Sequence, residues 1–296
     1  MNEKILAILD GLKTFDGTYK RELVDDAIEL KTEITPYLIK ILENVLSDPV
    51  QYLEDEDRFD HIYALMLLGH FRETAAHSVI VDLFSIPGET PYDLYGDLGT
   101  ENLPLILVTT CGGSIDRIKT MARDQKVDEY KRVSALNALA YAVVEGYISR
   151  KEVLAFFEPL FTESAAREGS DFFSLMAMIA EKLYPEEIMD TIRNAYEEGL
   201  ISEGMIRYED FDSALKKGKE DCLNWLKRDM KQSSLDDIHN SMSWWACFNP
   251  ESREPAPSIP TFSPPSKSDR KKLRNKRKAK KRKRKMAKAA KRKNRR

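Results

Sequence analysis

The 296-residue chain is 42% hydrophobic and 32% charged, and its formal net charge of −2 hides two opposed blocks. Residues 267–296 hold 20 Lys or Arg against one acid, a charge of +19, which leaves −21 on the first 266 residues. That asymmetry marks a polyanion-seeking tail on an acidic body. No apolar run is long enough to span a bilayer, which excludes a transmembrane helix.

Cys111, Cys222 and Cys247 are too few and too far apart for a disulfide framework, so a reducing, cytoplasmic setting is expected. The start, MNEKILAILDGLK, carries Glu3 and Asp10 and lacks a basic leading region. It predicts a first helix rather than an export signal. Leu23, Ala27, Ile28 and Leu30 predict a second helix. Thr35 before Pro36 reads as a helix N-cap, as does Asp48 before Pro49.

Four helical hairpins follow. Ile62, Leu65, Met66 and Leu68 pair with Val79, Ile80, Leu83 and Phe84 across a short connection at His70–Glu73. Leu103, Ile106 and Leu107, capped by Thr100, pair with Ile115, Ile118 and Met121, capped by Ser114 after Gly112-Gly113. Tyr130, Val133, Leu136 and Leu139 pair with Val153, Leu154 and Phe157; Gly146 ends the first helix, and Ser149 with Glu152 forms a capping box for the second. Phe172, Leu175, Met176 and Ile179 pair with Ile188, Ile192 and Tyr196, between Pro185 and Gly199. Their first helices are centred near Leu65, Leu105, Leu136 and Leu175. That spacing predicts an all-α, HEAT-like solenoid over residues 1–248, with an irregular helical globule as the alternative. Two shorter helices meet at Gly218, and the body closes on an aromatic cluster, Trp244, Trp245 and Phe248. Such a cluster caps the last core or forms a partner surface.

Six of the eighteen residues from 249 to 266 are proline, which predicts an extended linker. Beyond it, like charges three and four apart repel, so residues 267–296 are expected to be disordered. Lys271, Lys272, Arg274, Lys276, Arg277, Lys278, Lys280, Lys281, Arg282, Lys283, Arg284 and Lys285 are the candidate polyanion contacts. With no aromatic residue to stack on bases, they would hold RNA, ribosome or DNA through phosphate charge and little sequence preference. The tail has no apolar face for stable membrane insertion. Its alternatives are docking on the acidic body, contact with an anionic membrane surface, and a nuclear-targeting signal, as on a bacterial effector.

No P-loop, GxGxxG or HExxH is present, and His70 and His77 are separated by a turn that breaks helical register. Cys111-Gly112-Gly113-Ser114 is explained by a glycine stop and a serine start. Neither a cofactor nor a metal is expected. One segment, PGETPYDLYGDLGT at 87–100, is longer than a hairpin connection needs. It is a candidate binding loop through Tyr92, Asp93, Tyr95 and Asp97. A hydrolase or metal-dependent enzyme using this loop is the alternative to a non-enzymatic adaptor whose body binds a protein or peptide.

The stretches HFRETAAHSVIVDLFSIPGE, GDLGTENLP, EYKRVSALNALAYAVVEGYISRKEV, LYPEEIMDTIRNAYEEGLI and SMSWWACF resemble a bacterial family known as domain of unknown function 1186. The resemblance covers residues 1–248 in order. It implies a HEAT-like helical fold in a bacterial cytosol, and no activity or catalytic residues. Members of the family often end in a SecA-type, cysteine-rich zinc motif; here those cysteines are absent and the basic tail stands in their place.

Overall fold

The computed structural model describes residues 3–55, 57–162, 165–167 and 169–249, and within them the chain is all-α. A single antiparallel bridge, Thr14 to Arg58, is the nearest approach to β-structure among the described residues. No described helix is long and apolar enough to cross a membrane. Of the proline-rich linker and the basic tail, all but residue 249 lies outside the described residues.

The first quarter holds α1 (Glu3–Lys13), α2 (Arg21–Glu29), α3 (Lys31–Ser47) and α4 (Pro49–Glu54). The expected start at Thr35–Pro36 is corrected: α3 begins at Lys31 and runs through both residues. Thr35 is buried and its hydroxyl donates back to the Lys31 carbonyl at 2.7 Å instead of capping. Proline removes one backbone bond there. The fully buried Ile34, Leu38 and Leu42 hold the turns together across that gap. The start at Asp48 holds, because its carboxylate accepts from the Gln51 amide.

The hairpins follow in sequence order: α5 (Asp60–His70) with α6 (His77–Phe84), then, after α7 (Thr90–Tyr95) and α8 (Leu98–Glu101), α9 (Leu103–Thr110) with α10 (Asp116–Arg123). Next come α11 (Glu129–Val144) with α12 (Arg150–Phe157), and α13 (Phe172–Lys182) with α14 (Met189–Glu198). Helices α5, α9, α11 and α13 pack on one another in that order, and α6 packs on α10. In α5 every residue from Asp60 to Gly69 is buried. A helix apolar all round belongs inside, with neighbours on both faces. Helix α10, with only Ile118, Met121 and Ala122 buried, is an amphipathic outer helix.

Two expected caps are corrected. Thr100 lies within α8 and donates to the Asp97 carbonyl, and α9 starts at Leu103 with proline in its first turn. Ser114 does not cap α10, which begins two residues later at Asp116. In both places burial of the apolar stripe sets the start, which leaves Thr100 inside the preceding helix and Ser114 in the turn. The Ser149–Glu152 capping box forms as expected. So does the left-handed stop at Gly199.

After α15 (Tyr208–Lys217) and α16 (Lys219–Gln232) the chain turns back. Residues 233–249, with α17 (Ile238–Met242), form a strap that reaches the amino-terminal helices. His70 Nδ1–H donates to the Leu235 carbonyl at 2.7 Å. The Tyr19 hydroxyl donates to His239 Nδ1, and His239 Nε2–H donates to Asp25, each at 2.8 Å. An open stack of hairpins would leave its ends apart; here the strap joins them.

Gly69 lies where α5, α9 and the strap converge. A Cβ on it would stand 2.8 Å from Ile106 Cγ1 and 2.9 Å from Leu235 Cδ1. Both neighbours are buried, so neither can turn away. Gly69→Ala is therefore expected to destabilise the protein by about 1–3 kcal/mol through overpacking. A urea midpoint unchanged from the parent protein would contradict that close approach.

Candidate functional site

The segment at 87–100 is not an irregular loop. It folds into α7 and α8, hinged at Gly96, whose φ of +52° lies in the region that favours glycine. Apolar residues at helical spacing explain the difference: Pro91, Leu94, Tyr95 and Leu98 are buried. Tyr92, Asp93 and Asp97 are left outside.

Helix α7 is anchored from beneath. His61 Nε2–H donates to the Leu94 carbonyl at 3.0 Å, and the Tyr95 ring lies edge-on to His61 at 5.3 Å. The Arg58 guanidinium stacks over the Tyr52 ring at 3.7 Å and ion-pairs with Asp60 at 3.1 Å. Burial works to raise the Asp60 carboxyl, but His61 and Arg58 beside it hold it below its ordinary value. The Tyr95 hydroxyl is buried with no partner among the described residues, and burial raises its pKa.

The carboxyl-terminal aromatics divide. Phe248 is buried among Phe15, Tyr19, Phe59 and Trp245, with ring centroids 5.4–5.9 Å away. Trp245 is half-buried and stacks on Phe248, whereas Trp244 is 64% exposed. The strap brings this turn against α7 and α8. Together they enclose a cleft of about 450 Å³ lined by Phe59, Ile62, Leu94–Leu98, Glu101 and Trp244–Cys247. Two sequence candidates some 150 residues apart thus share one site: Tyr95 and Asp97 line it from one side, Trp244 and Trp245 from the other. Tyr92 and Asp93 are not part of its wall. The candidate polyanion contacts from Lys271 to Lys285 lie outside the described residues.

Lys131 is a functional candidate that its sequence context does not mark. It is 2% exposed, with its ammonium 5.9 Å from the Tyr92 ring centroid. A Cβ on Gly99 would stand closer to that ammonium than any contact allows. Burial lowers its pKa, against the fields of Asp128 and Asp97. It lies one residue after the exposed Tyr130, on a helix whose predicted stripe holds at Leu136 and Leu139 but leaves Val133 only half-buried. No sequence signal distinguishes such a lysine.

The histidines are engaged separately. His77 Nδ1–H donates to Thr110 Oγ1 at 3.1 Å, and the Thr110 hydroxyl donates to the Ile106 carbonyl at 2.7 Å. His77 Nε2 is buried with no partner among the described residues. Burial, with Arg117 nearby, pushes its pKa down from 6.5 to about 4. The unfolded chain therefore binds this proton more readily than the folded one. The stability contributed by keeping His77 neutral should be fully present above pH about 6.5 and should be lost as the pH drops toward 4, by about 2 kcal/mol between pH 7 and 4.5. His77→Asn, which keeps the donor to Thr110, should remove that part of the acid loss. Equal losses in parent and variant, by urea unfolding at the two pH values, would contradict it.

Among the described residues, no group of three or more His, Cys, Asp or Glu side chains could hold a metal ion. Burial pushes the Cys111 thiol up, away from a reactive thiolate. Its Sγ rests on the Val108 carbonyl.

No solved structure matches the chain. It is 31% identical over 245 residues to a protein described as uncharacterized from Chlamydia muridarum, covering 82% of this chain and 96% of that one. A second such protein, from Chlamydia trachomatis serovar D, is 31% identical over 247 residues, covering 83% of this chain and 97% of its own length. A family described as "Protein of unknown function (DUF1186)" matches residues 3–249, from the first helix to the turn that carries the tryptophans and no further. With helical body and cleft both inside that span, the chain belongs to the DUF1186 family.

Proposed function

We propose that this protein is a non-enzymatic adaptor. Its body, residues 1–248, is read as a HEAT-like stack that holds a protein or peptide. The proline-rich stretch at 249–266 is a spacer, and residues 267–296 tether the body to RNA, ribosome or DNA. The observation that carries this reading is the convergence of α7–α8 and the Trp244–Cys247 turn on one aromatic cleft. An exposed tryptophan beside a half-buried one at the rim of a concave site is the composition of a recognition surface. The tail supports the second half, because +19 over thirty residues is a dense run of cations with which to neutralise phosphates.

The experiment compares the full chain with a chain ended at Ser266 for binding to generic RNA across a salt series. Tight, salt-sensitive binding by the full chain alone is the expected result. Equal affinity for the two, or a flat salt response, would overturn the tether.

A further inference from the structure

We propose that the cleft takes a basic, partly apolar peptide segment, seating an apolar side chain against Trp244 and Ile62 and an arginine or lysine against Asp97 and Glu101. This rests on the reading of the body as a peptide-binding module and names the chemistry of what it binds.

The wall supplies two kinds of group. Phe59, Ile62, Leu94, Trp244 and Trp245 give an apolar and aromatic surface, and Asp97 and Glu101 are its charged members. No lysine, arginine or histidine among the described residues lines it. Both carboxylates belong to exposed residues, and neither makes an ion pair or a side-chain hydrogen bond among the described residues. Lys131 feels the field of Asp97, but its ammonium is held against Gly99 and beneath Tyr92, out of ion-pair contact. The cleft therefore presents two carboxylates without an ion-pair partner beside indole faces.

Such a wall selects its occupant by charge. Phosphates, nucleic acid and anionic lipid headgroups are repelled by the two carboxylates. A purely apolar segment would desolvate those carboxylates with nothing in return. A guanidinium can bond a carboxylate bidentately and lie over an indole face at once, which an ammonium does less well. A volume of about 450 Å³ accommodates one or two side chains, not a globular surface. Gly96 contributes backbone without a side chain to the wall, so a peptide main chain can approach there.

The acidic body attracts any basic peptide weakly, so the test must localise the effect. The full chain is titrated with a labelled peptide of alternating arginine and leucine, and with a second in which glutamine replaces every arginine. Asp97→Asn with Glu101→Gln should weaken the arginine peptide about tenfold, as should Trp244→Ala. Glu209→Gln with Asp212→Asn removes the same charge from exposed positions on α15 and should change affinity by less than about twofold. Circular dichroism checks that each variant keeps its helices. Equal weakening by the two double variants would overturn the proposal, as would no binding of either peptide. If the glutamine peptide binds as tightly and Trp244→Ala releases it, the cationic ligand is wrong while the peptide-binding reading stands.

Discussion

Phe248→Ala should destabilise the protein by about 3–5 kcal/mol, the range for removing a buried aromatic ring. The ring is 8% exposed and is the meeting point of four others: Phe15, Tyr19, Phe59 and Trp245. Three of those four belong to the first sixty residues, so the deletion opens a cavity between the strap and the amino-terminal helices. His239 still bridges Tyr19 and Asp25, and Ile238 and Met242 remain buried. Opening therefore begins at the chain end and strips Trp244 and Trp245 from the cleft before the hairpins unfold. Hydrogen exchange should accelerate first over residues 243–249, and the urea midpoint should fall. Trp244→Ala is the control. At 64% exposure that ring fills no cavity, and its loss should stay within about 0.5 kcal/mol. If the two variants lower the midpoint equally, Phe248 does not hold the strap.

What can be read from the sequence follows the range of each interaction. The Ser149–Glu152 box, the Asp48 cap and the Gly199 stop are each settled within a few residues, and all three form. The four hairpins are equally legible, because each inner helix carries a long apolar run. Thr35, Thr100 and Ser114 show the limit. Each has the residue type of a cap, but the start of the buried stripe decides where the helix begins. The glycines and prolines of the segment at 87–100 spell a loop, yet burial of Leu94, Tyr95 and Leu98 folds it into two short helices. Half of the candidate site is visible in the sequence as that segment and half as the tryptophans. Their meeting is not, because the strap's return depends on pairs such as His239 with Tyr19, 220 positions apart. Lys131 gives no signal at all, since a lysine's burial is set by Gly99 and Tyr92 packing around it.

Binding of generic single-stranded RNA by the full chain should weaken by about a thousandfold or more between about 50 and 200 mM salt. The expectation follows from counting charges. If about eight of the tail's 20 Lys and Arg engage phosphates, each releases condensed counterions, and the slope of log affinity on log salt is about −6 for single strands. The body cannot substitute. With −21 on the first 266 residues, a chain ended at Ser266 is repelled by RNA, and its affinity should be too low to measure at either salt. Because a phosphate carries no base information, homopolymers of different base should bind within about threefold of one another. Replacing sixteen of the tail's 20 Lys and Arg by glutamine leaves at most four to engage phosphates, so the slope should flatten from about −6 to about −3. A slope unchanged by that replacement, or strong preference among the homopolymers, would mean that something other than the tail's charge grips the nucleic acid.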